Sequence, residues 1–151
     1  MKRIYPLMLV LFAALWVLGI YWSGAQLRVF LSVASLVVVV CTALVLSLCS
    51  FSPAEIGAAF SLGFHRSPAD SVELRKAILF FKMLSVYLLL AGVMGFLVGI
   101  IVLLWALDES VVLATGLASS LITLLYSVFL VAGVAFPFRT GLTRRLHELE
   151  S

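Results

Sequence analysis

Charge is scarce in this sequence. Asp, Glu, Lys and Arg make up only 11% of its 151 residues, against about 25% in an ordinary soluble domain. A soluble globular reading is therefore excluded. Histidine and cysteine are sparser still: His65 and His147 are isolated, and Cys41 and Cys49 share one apolar stretch with no histidine near. A metal site needs several converging ligands, so no metal and no cofactor is expected, and the two cysteines read as small buried side chains. No Ser-His-Asp, Cys-His or paired-carboxylate arrangement can be assembled from these residues, which argues against an enzyme. The basic residues stand at the edges of apolar stretches with no aromatic-interleaved patch, which argues against nucleic-acid binding.

What fills the chain instead is hydrocarbon: 64% of it is hydrophobic and its mean hydropathy is +1.26. Runs of at least about 18 apolar residues mark spanning helices, and the stretches 5–22, 29–49, 83–107 and 111–136 all qualify. The expected fold is thus an all-α membrane protein of four transmembrane helices, forming one membrane domain over 1–151. Lys2-Arg3 and Ser23-Gly24-Ala25 bear some likeness to a cleavable leader, but Tyr21 and Trp22 at the exit of the first stretch fit an interfacial belt better.

Nine of the ten basic residues fall on one side of this arrangement: Lys2, Arg3, Arg66, Arg75, Lys76, Lys82, Arg139, Arg144 and Arg145. The positive-inside rule makes that side cytoplasmic and puts both termini there. The outward loops, near 23–28 and 108–110, are turn-sized, so spans one and two, and three and four, form antiparallel hairpins. The inward segment carries two similar helix starts, Ser52-Pro53-Ala54-Glu55 and Ser67-Pro68-Ala69-Asp70, each a serine cap, a proline and an acid. They predict a short cytoplasmic helical segment over 52–81. The first start leads into an Ile56, Phe60, Phe64 stripe suited to a membrane surface. The second runs without a break into the third span, so the third helix, like the fourth, is expected to be long and to extend into the cytoplasm.

Two faces in the second hairpin stand out. Gly92, Gly95 and Gly99 share one side of the third span, at i, i+3 and i+7. Without side chains there, another helix can approach closely, which makes them candidates for helix packing and oligomer contact. In the fourth span Gly116, Ser120, Thr123 and Ser127 follow i, i+4, i+7 and i+11. Hydroxyls so placed can bond across helices, bond back to their own backbone, or line a narrow wet path. Plain packing within a four-helix bundle is the simplest use of both faces. No Asp, Glu, Lys, Arg or His occupies the centre of any span. An ion carrier needs such a group, so if this chain conducts ions, another chain must provide it.

The second hairpin resembles the MotA/TolQ/ExbB proton-channel family, which includes the flagellar stator proteins. Gly92-Val93-Met94-Gly95-Phe96-Leu97-Val98-Gly99-Ile100 is similar to the family's third-span glycine pattern, and Ala118–Ser127 to its fourth-span AxALxTTLYG pattern. Phe136-Pro137-Phe138, with Leu142 and a basic tail, resembles the family's exit from the membrane. The first half is similar more loosely, through Leu31–Val40 and Ser50–Ile56. The resemblance implies a ring-forming subunit, a pentamer, in the bacterial inner membrane. A single-span MotB-type partner with a membrane aspartate would carry the proton or sodium ion. Ser120, Thr123 and Ser127 would then face the ion pathway, and the glycines would make the close helix contacts.

The sequence also departs from the family. The segment between spans two and three is far shorter than the family's cytoplasmic domain. Leu88-Leu89-Leu90-Ala91 holds no proline before the glycine pattern, Leu124 replaces the second of two threonines, and Phe96 stands where a threonine is common. These changes thin any polar path. They keep open a non-conducting structural or assembly protein on the same scaffold, or an unrelated small transporter accessory subunit.

Overall fold

The computed structural model describes residues 10, 11, 14, 15, 17, 18, 21, 22, 32–64, 70–105 and 110–150, with side chains from 116 onward in the last stretch. Its regular structure is helical throughout. The chain divides into two compact units, Met1–Val33 and Ala34–Ser151. In the first, Val10, Leu11, Leu15, Val17, Leu18, Tyr21 and Trp22 are helical and exposed; the rest of the expected first span, 5–22, lies outside the described residues.

The second unit holds α1 (Val33–Ser50) from its second residue on, α2 (Pro53–Phe64), α3 (Ser71–Trp105) and α4 (Ser110–Leu130). A π-helical turn (Val131–Ala135) then leads into α5 (Phe136–Glu150). Among the described residues three helical stretches are long and apolar enough to cross a membrane: Val33–Ser50, Ser71–Trp105 and Gly116–Glu150. Large exposed hydrophobics line their outer faces, for example Val45, Val98 and Val102. So much exposed hydrocarbon is foreign to a soluble monomer and natural in lipid.

α1 turns Ser35, Val39, Ala43 and Ser47 inward at four-residue spacing. The Ser47 hydroxyl, buried, donates to the carbonyl of Ala43 at 2.7 Å. Cys41 and Cys49, expected to be buried, are instead exposed free thiols, because they lie on the helix side turned away from that stripe. At the end of α1, Ser50 Oγ and Tyr87 OH share a 2.6 Å hydrogen bond that ties it to α3. The helix stops where Ser52 precedes Pro53, since a residue before proline disfavours helical geometry.

The start of α2 is a reciprocal capping box. The Glu55 amide donates to Ser52 Oγ at 3.3 Å, and the Ser52 amide and hydroxyl donate to Glu55 Oε2 at 3.0 and 3.1 Å. Those bonds, the backbone one first, hold the Glu55 carboxyl below the usual carboxylate range, and Lys76 adds to the effect. A depressed carboxylate contributes stability that is present above its unfolded pKa and is lost as pH falls through the lowered folded value. Acidification into that range is therefore expected to fray the first turn of α2, raising exchange of the Ser52 amide. Glu55→Gln should abolish that pH dependence; if exchange responds to acid equally in both proteins, the carboxylate is not the cap.

Of the Ile56, Phe60, Phe64 stripe, Ile56 and Phe60 are half-buried against the protein core, while Phe64 stays 71% exposed. The Phe60 ring meets those of Phe80, Phe81 and Phe138 edge-on, with centroids 5.7, 5.5 and 6.5 Å away. Phe81 and Phe138 stack at 5.2 Å, only 14° from parallel. Phe51 and Phe64 close the cluster against Phe80 and Phe138. At the other end of α2, Arg145 Nη1 donates to the Leu62 carbonyl at 2.9 Å, satisfying one of the carbonyls a helix end leaves open. One phenylalanine cluster thus joins α2, α3 and α5.

α3 is unbroken over 35 residues, about 52 Å at the helical rise, so it is far longer than a bilayer core of about 30 Å. Its continuity past Gly92, Gly95 and Gly99 agrees with the sequence. The second expected cap, Ser67 to Asp70, lies mostly outside the described residues; Asp70 Oδ1 does accept from the Ser71 amide at 2.7 Å. The fourth helix, expected to be long, runs on past Phe136-Pro137-Phe138. It continues to Glu150 through the π-helical turn, in which the Phe136 amide reaches back to the Val131 carbonyl. Pro137 has no amide to donate and its ring would crowd the preceding turn. A single wider turn just before it lets the helix run on.

Candidate functional site

The glycine face of α3 and the hydroxyl face of α4 are the two halves of a single seam. The helices run antiparallel, and partners step in opposite directions along them. Gly92 meets Ser127, Gly95 meets Thr123, and Gly99 meets Ser120. Beyond them the roles reverse: Gly116 on α4 receives the Leu103 side chain from α3.

The approach is closer than any side chain allows. A Cβ placed on Gly95 would lie 2.6 Å from Thr123 Cγ2. One on Gly99 would overlap the Ser120 hydroxyl and lie 2.9 Å from its Cβ and 3.4 Å from its Cα. One on Gly92 would overlap both Oγ and Cβ of Ser127, with the Leu124 Cα 3.6 Å behind. A Cβ on Gly116 would lie 2.5 Å from Leu103 Cδ1. Small residues at helix interfaces serve this purpose in membranes, where packing rather than water exclusion drives association.

The hydroxyls facing those glycines are buried: Ser120 is 3%, Thr123 7% and Ser127 0% exposed. Each donates to its own helix. Ser120 Oγ bonds the Gly116 carbonyl at 2.9 Å, Thr123 Oγ1 the Ser119 carbonyl at 3.1 Å, and Ser127 Oγ the Leu124 carbonyl at 2.7 Å. A hydroxyl left unbonded in a dry interior would cost a few kcal/mol. Bonding back to the carbonyl one turn earlier removes that penalty and keeps the side chain flat against the neighbour. No buried side-chain polar atom among the described residues lacks a partner.

Chemically, then, the seam is neutral and closed. Its hydroxyl hydrogens are in use, while their oxygens keep lone pairs able to accept. No Asp, Glu, Lys, Arg or His sits between Lys82 and Arg139 along the described parts of the hairpin. Among the described residues no group of His, Cys, Asp or Glu could hold a metal ion. Sequence reasoning found every small and hydroxyl residue of the seam but treated the two faces as separate surfaces. It missed Leu103, whose only sequence signal is its position one turn beyond Gly99. It also missed the Ser50–Tyr87 bond and the Arg145 contact, which join residues 37 and 83 apart and have no local signature.

Charge lies at one end of the hairpin. Arg75 Nη2 and Glu150 Oε1 meet at 2.7 Å where the start of α3 passes the end of α5. Both side chains are well exposed, 67% and 42%, so the pair adds little stability and serves mainly as a register mark. In comparison with known proteins, neither a family model nor a curated protein matches this sequence.

Proposed function

We propose that this chain is a ring-forming subunit of an ion-driven stator or motor complex of the MotA type. In this reading it lies in the bacterial inner membrane as a four-span protein, with both termini cytoplasmic. One observation carries the reading: a close-packed α3–α4 seam of glycines and hydroxyls that contains no ionisable group. A subunit that must turn or deform as ions pass needs a stiff hairpin, and one without a membrane acid needs a partner that supplies it. A single-span MotB-type helix with an aspartate would do so, and proton or sodium movement past it would yield about 2.3 kcal/mol per charge per 100 mV.

A non-conducting scaffold is the second reading, and a specific observation favours it. Ser120, Thr123 and Ser127 are buried against glycines of the same chain and bonded to their own backbone. An ion path using them would have to open the seam or approach the oxygens from α4's other side.

The deciding experiment reconstitutes the chain, with and without a coexpressed single-span aspartate partner, and measures proton and sodium flux. Flux only with the partner is expected, falling several-fold in Thr123→Val and largely kept in Thr123→Ser, with assembly unchanged. Flux equal in Thr123→Val and parent would make Thr123 a packing residue. No flux in any preparation would remove the conducting reading. Topology is tested separately: a reporter fused after Ser151 should read cytoplasmic and one inserted between Asp108 and Glu109 external, and the reverse at either site would defeat the charge argument.

A further inference from the structure

Phe81 and Phe138 face each other across α3 and α5, and the residue after each is a cation, Lys82 and Arg139. A helix turns by about 100° per residue. On antiparallel helices, one step beyond a facing pair therefore carries both side chains to the same side. One step before it, on the opposite side, stands Phe80, buried at 2% and covered by the Phe60 and Phe51 rings. So α2 closes one side of the pair and Lys82 and Arg139 emerge on the open one. Both are exposed, and neither side chain has an ion-pair partner among the described residues.

The surroundings of this pair are ordered by charge and polarity. Away from the apolar spans the acids gather at the far end, Asp70 just before α3, Glu73 in its first turn, and Glu148 and Glu150 on α5, where Arg75 is already paired with Glu150. Toward the spans, the face of α3 that bears Lys82 continues at helical spacing through Val86, Leu89 and Val93, exposed by 44%, 41% and 44%. Two unneutralised cations side by side at the edge of the hydrocarbon, with an uncovered aliphatic strip running inward from them, match one molecule: a lipid with a negative head.

We propose that this side of the α3–α5 pair binds an anionic phospholipid, its phosphate held between Lys82 and Arg139 and an acyl chain lying along Val86, Leu89 and Val93. The proposal needs only the membrane setting and is independent of the motor reading. Cations near a membrane surface each strengthen attraction to anionic lipid about five-fold, and here two act on one phosphate. The bound lipid would fix the depth at which α3 and α5 leave the bilayer.

The test is native mass spectrometry of the full chain in neutral detergent, titrated with phosphatidylglycerol or phosphatidylcholine. Phosphatidylglycerol is expected to be retained preferentially. The double variant Lys82→Gln/Arg139→Gln should weaken its retention about 25-fold if the two cations act independently. Lys82→Arg/Arg139→Lys should keep it, and Arg75→Gln, at the far end, should leave it unchanged. Inorganic phosphate at matching concentration should not compete. Equal retention of the two lipids, equal loss in Arg75→Gln, or competition by inorganic phosphate would each overturn the proposal. So would a change in oligomeric mass in the double variant, because the surface would then join copies of the chain. Circular dichroism of each variant confirms that the helices persist.

Discussion

Gly92→Leu is expected to open the α3–α4 hairpin. Even the first carbon of the new side chain would overlap Oγ and Cβ of Ser127. Rotating the serine hydroxyl away relieves only the first of these. The Cβ is fixed to the α4 backbone, and the Leu124 Cα stands directly behind, so the helices must separate. Overpacking of this kind costs about 1–3 kcal/mol where neighbours can yield, and here they cannot, which places the loss at or above the upper end. Separation also forfeits the other rungs, because two helices cannot part at one point and stay in contact one turn away.

The alanine series sharpens the expectation. Gly92→Ala should cost most, Gly99→Ala less and Gly95→Ala least, since Thr123 presents only a rotatable methyl group at 2.6 Å with its Cβ at 3.7 Å. The loss in Gly92→Ala should largely vanish in a Ser127→Gly background, the coupling expected of residues in direct contact. Val102→Leu, at a site 61% exposed, serves as the control and should be neutral. The measurement is the SDS titration midpoint of the reconstituted protein followed by circular dichroism. A Gly92→Ala protein as stable as the parent, or a double variant with no recovery, would show that the seam is not packed as described.

Phe81→Ala should be nearly as damaging, in a different part of the molecule. Phe81 is fully buried, stacked on Phe138 and edged by Phe60 and Phe80. Its removal takes one ring from the α2–α3 and α3–α5 contacts at the junction. Truncating a buried phenylalanine costs about 3–5 kcal/mol, part of it for the cavity left behind. Because α2 has only 12 residues and cannot persist alone, that loss should release it. Limited proteolysis is expected to cut within Pro53–Phe64 in the variant and not in the parent. Hydrogen exchange across Gly92–Gly99 should stay slow, since the seam does not depend on the cluster. Phe81→Leu, which keeps most of the volume, should stay protected. Uniform loosening of both regions would mean that cluster and seam form one cooperative unit.

Local features of this protein were readable from its residues. The Ser52–Glu55 cap is written in four consecutive positions, and its geometry needs nothing beyond them. The long third helix followed from an apolar run with no proline, because helix continuity is decided turn by turn. Poverty of charge alone called for membrane-spanning helices, since no other setting tolerates so much exposed hydrocarbon. The glycine and hydroxyl faces were likewise visible as periodicities, residue by residue.

What periodicity does not carry is the identity of the neighbour. A glycine face reads the same whether it meets another copy, a partner helix or the next span of its own chain, because a missing Cβ records only that something comes close. Tertiary packing decided this by setting Gly92, Gly95 and Gly99 against Ser127, Thr123 and Ser120 of the same hairpin. It also turned Phe60 from a surface stripe into the centre of an aromatic cluster and exposed the cysteines opposite the buried side of α1. The π-helical turn before Pro137 belongs with these. A proline says that the ladder must change there, while packing of α5 beside α3 determines that the helix goes on rather than ends. Composition and spacing thus determined which surfaces exist and the medium they need; only the fold, by closing one surface on another, decided which remain free for a partner.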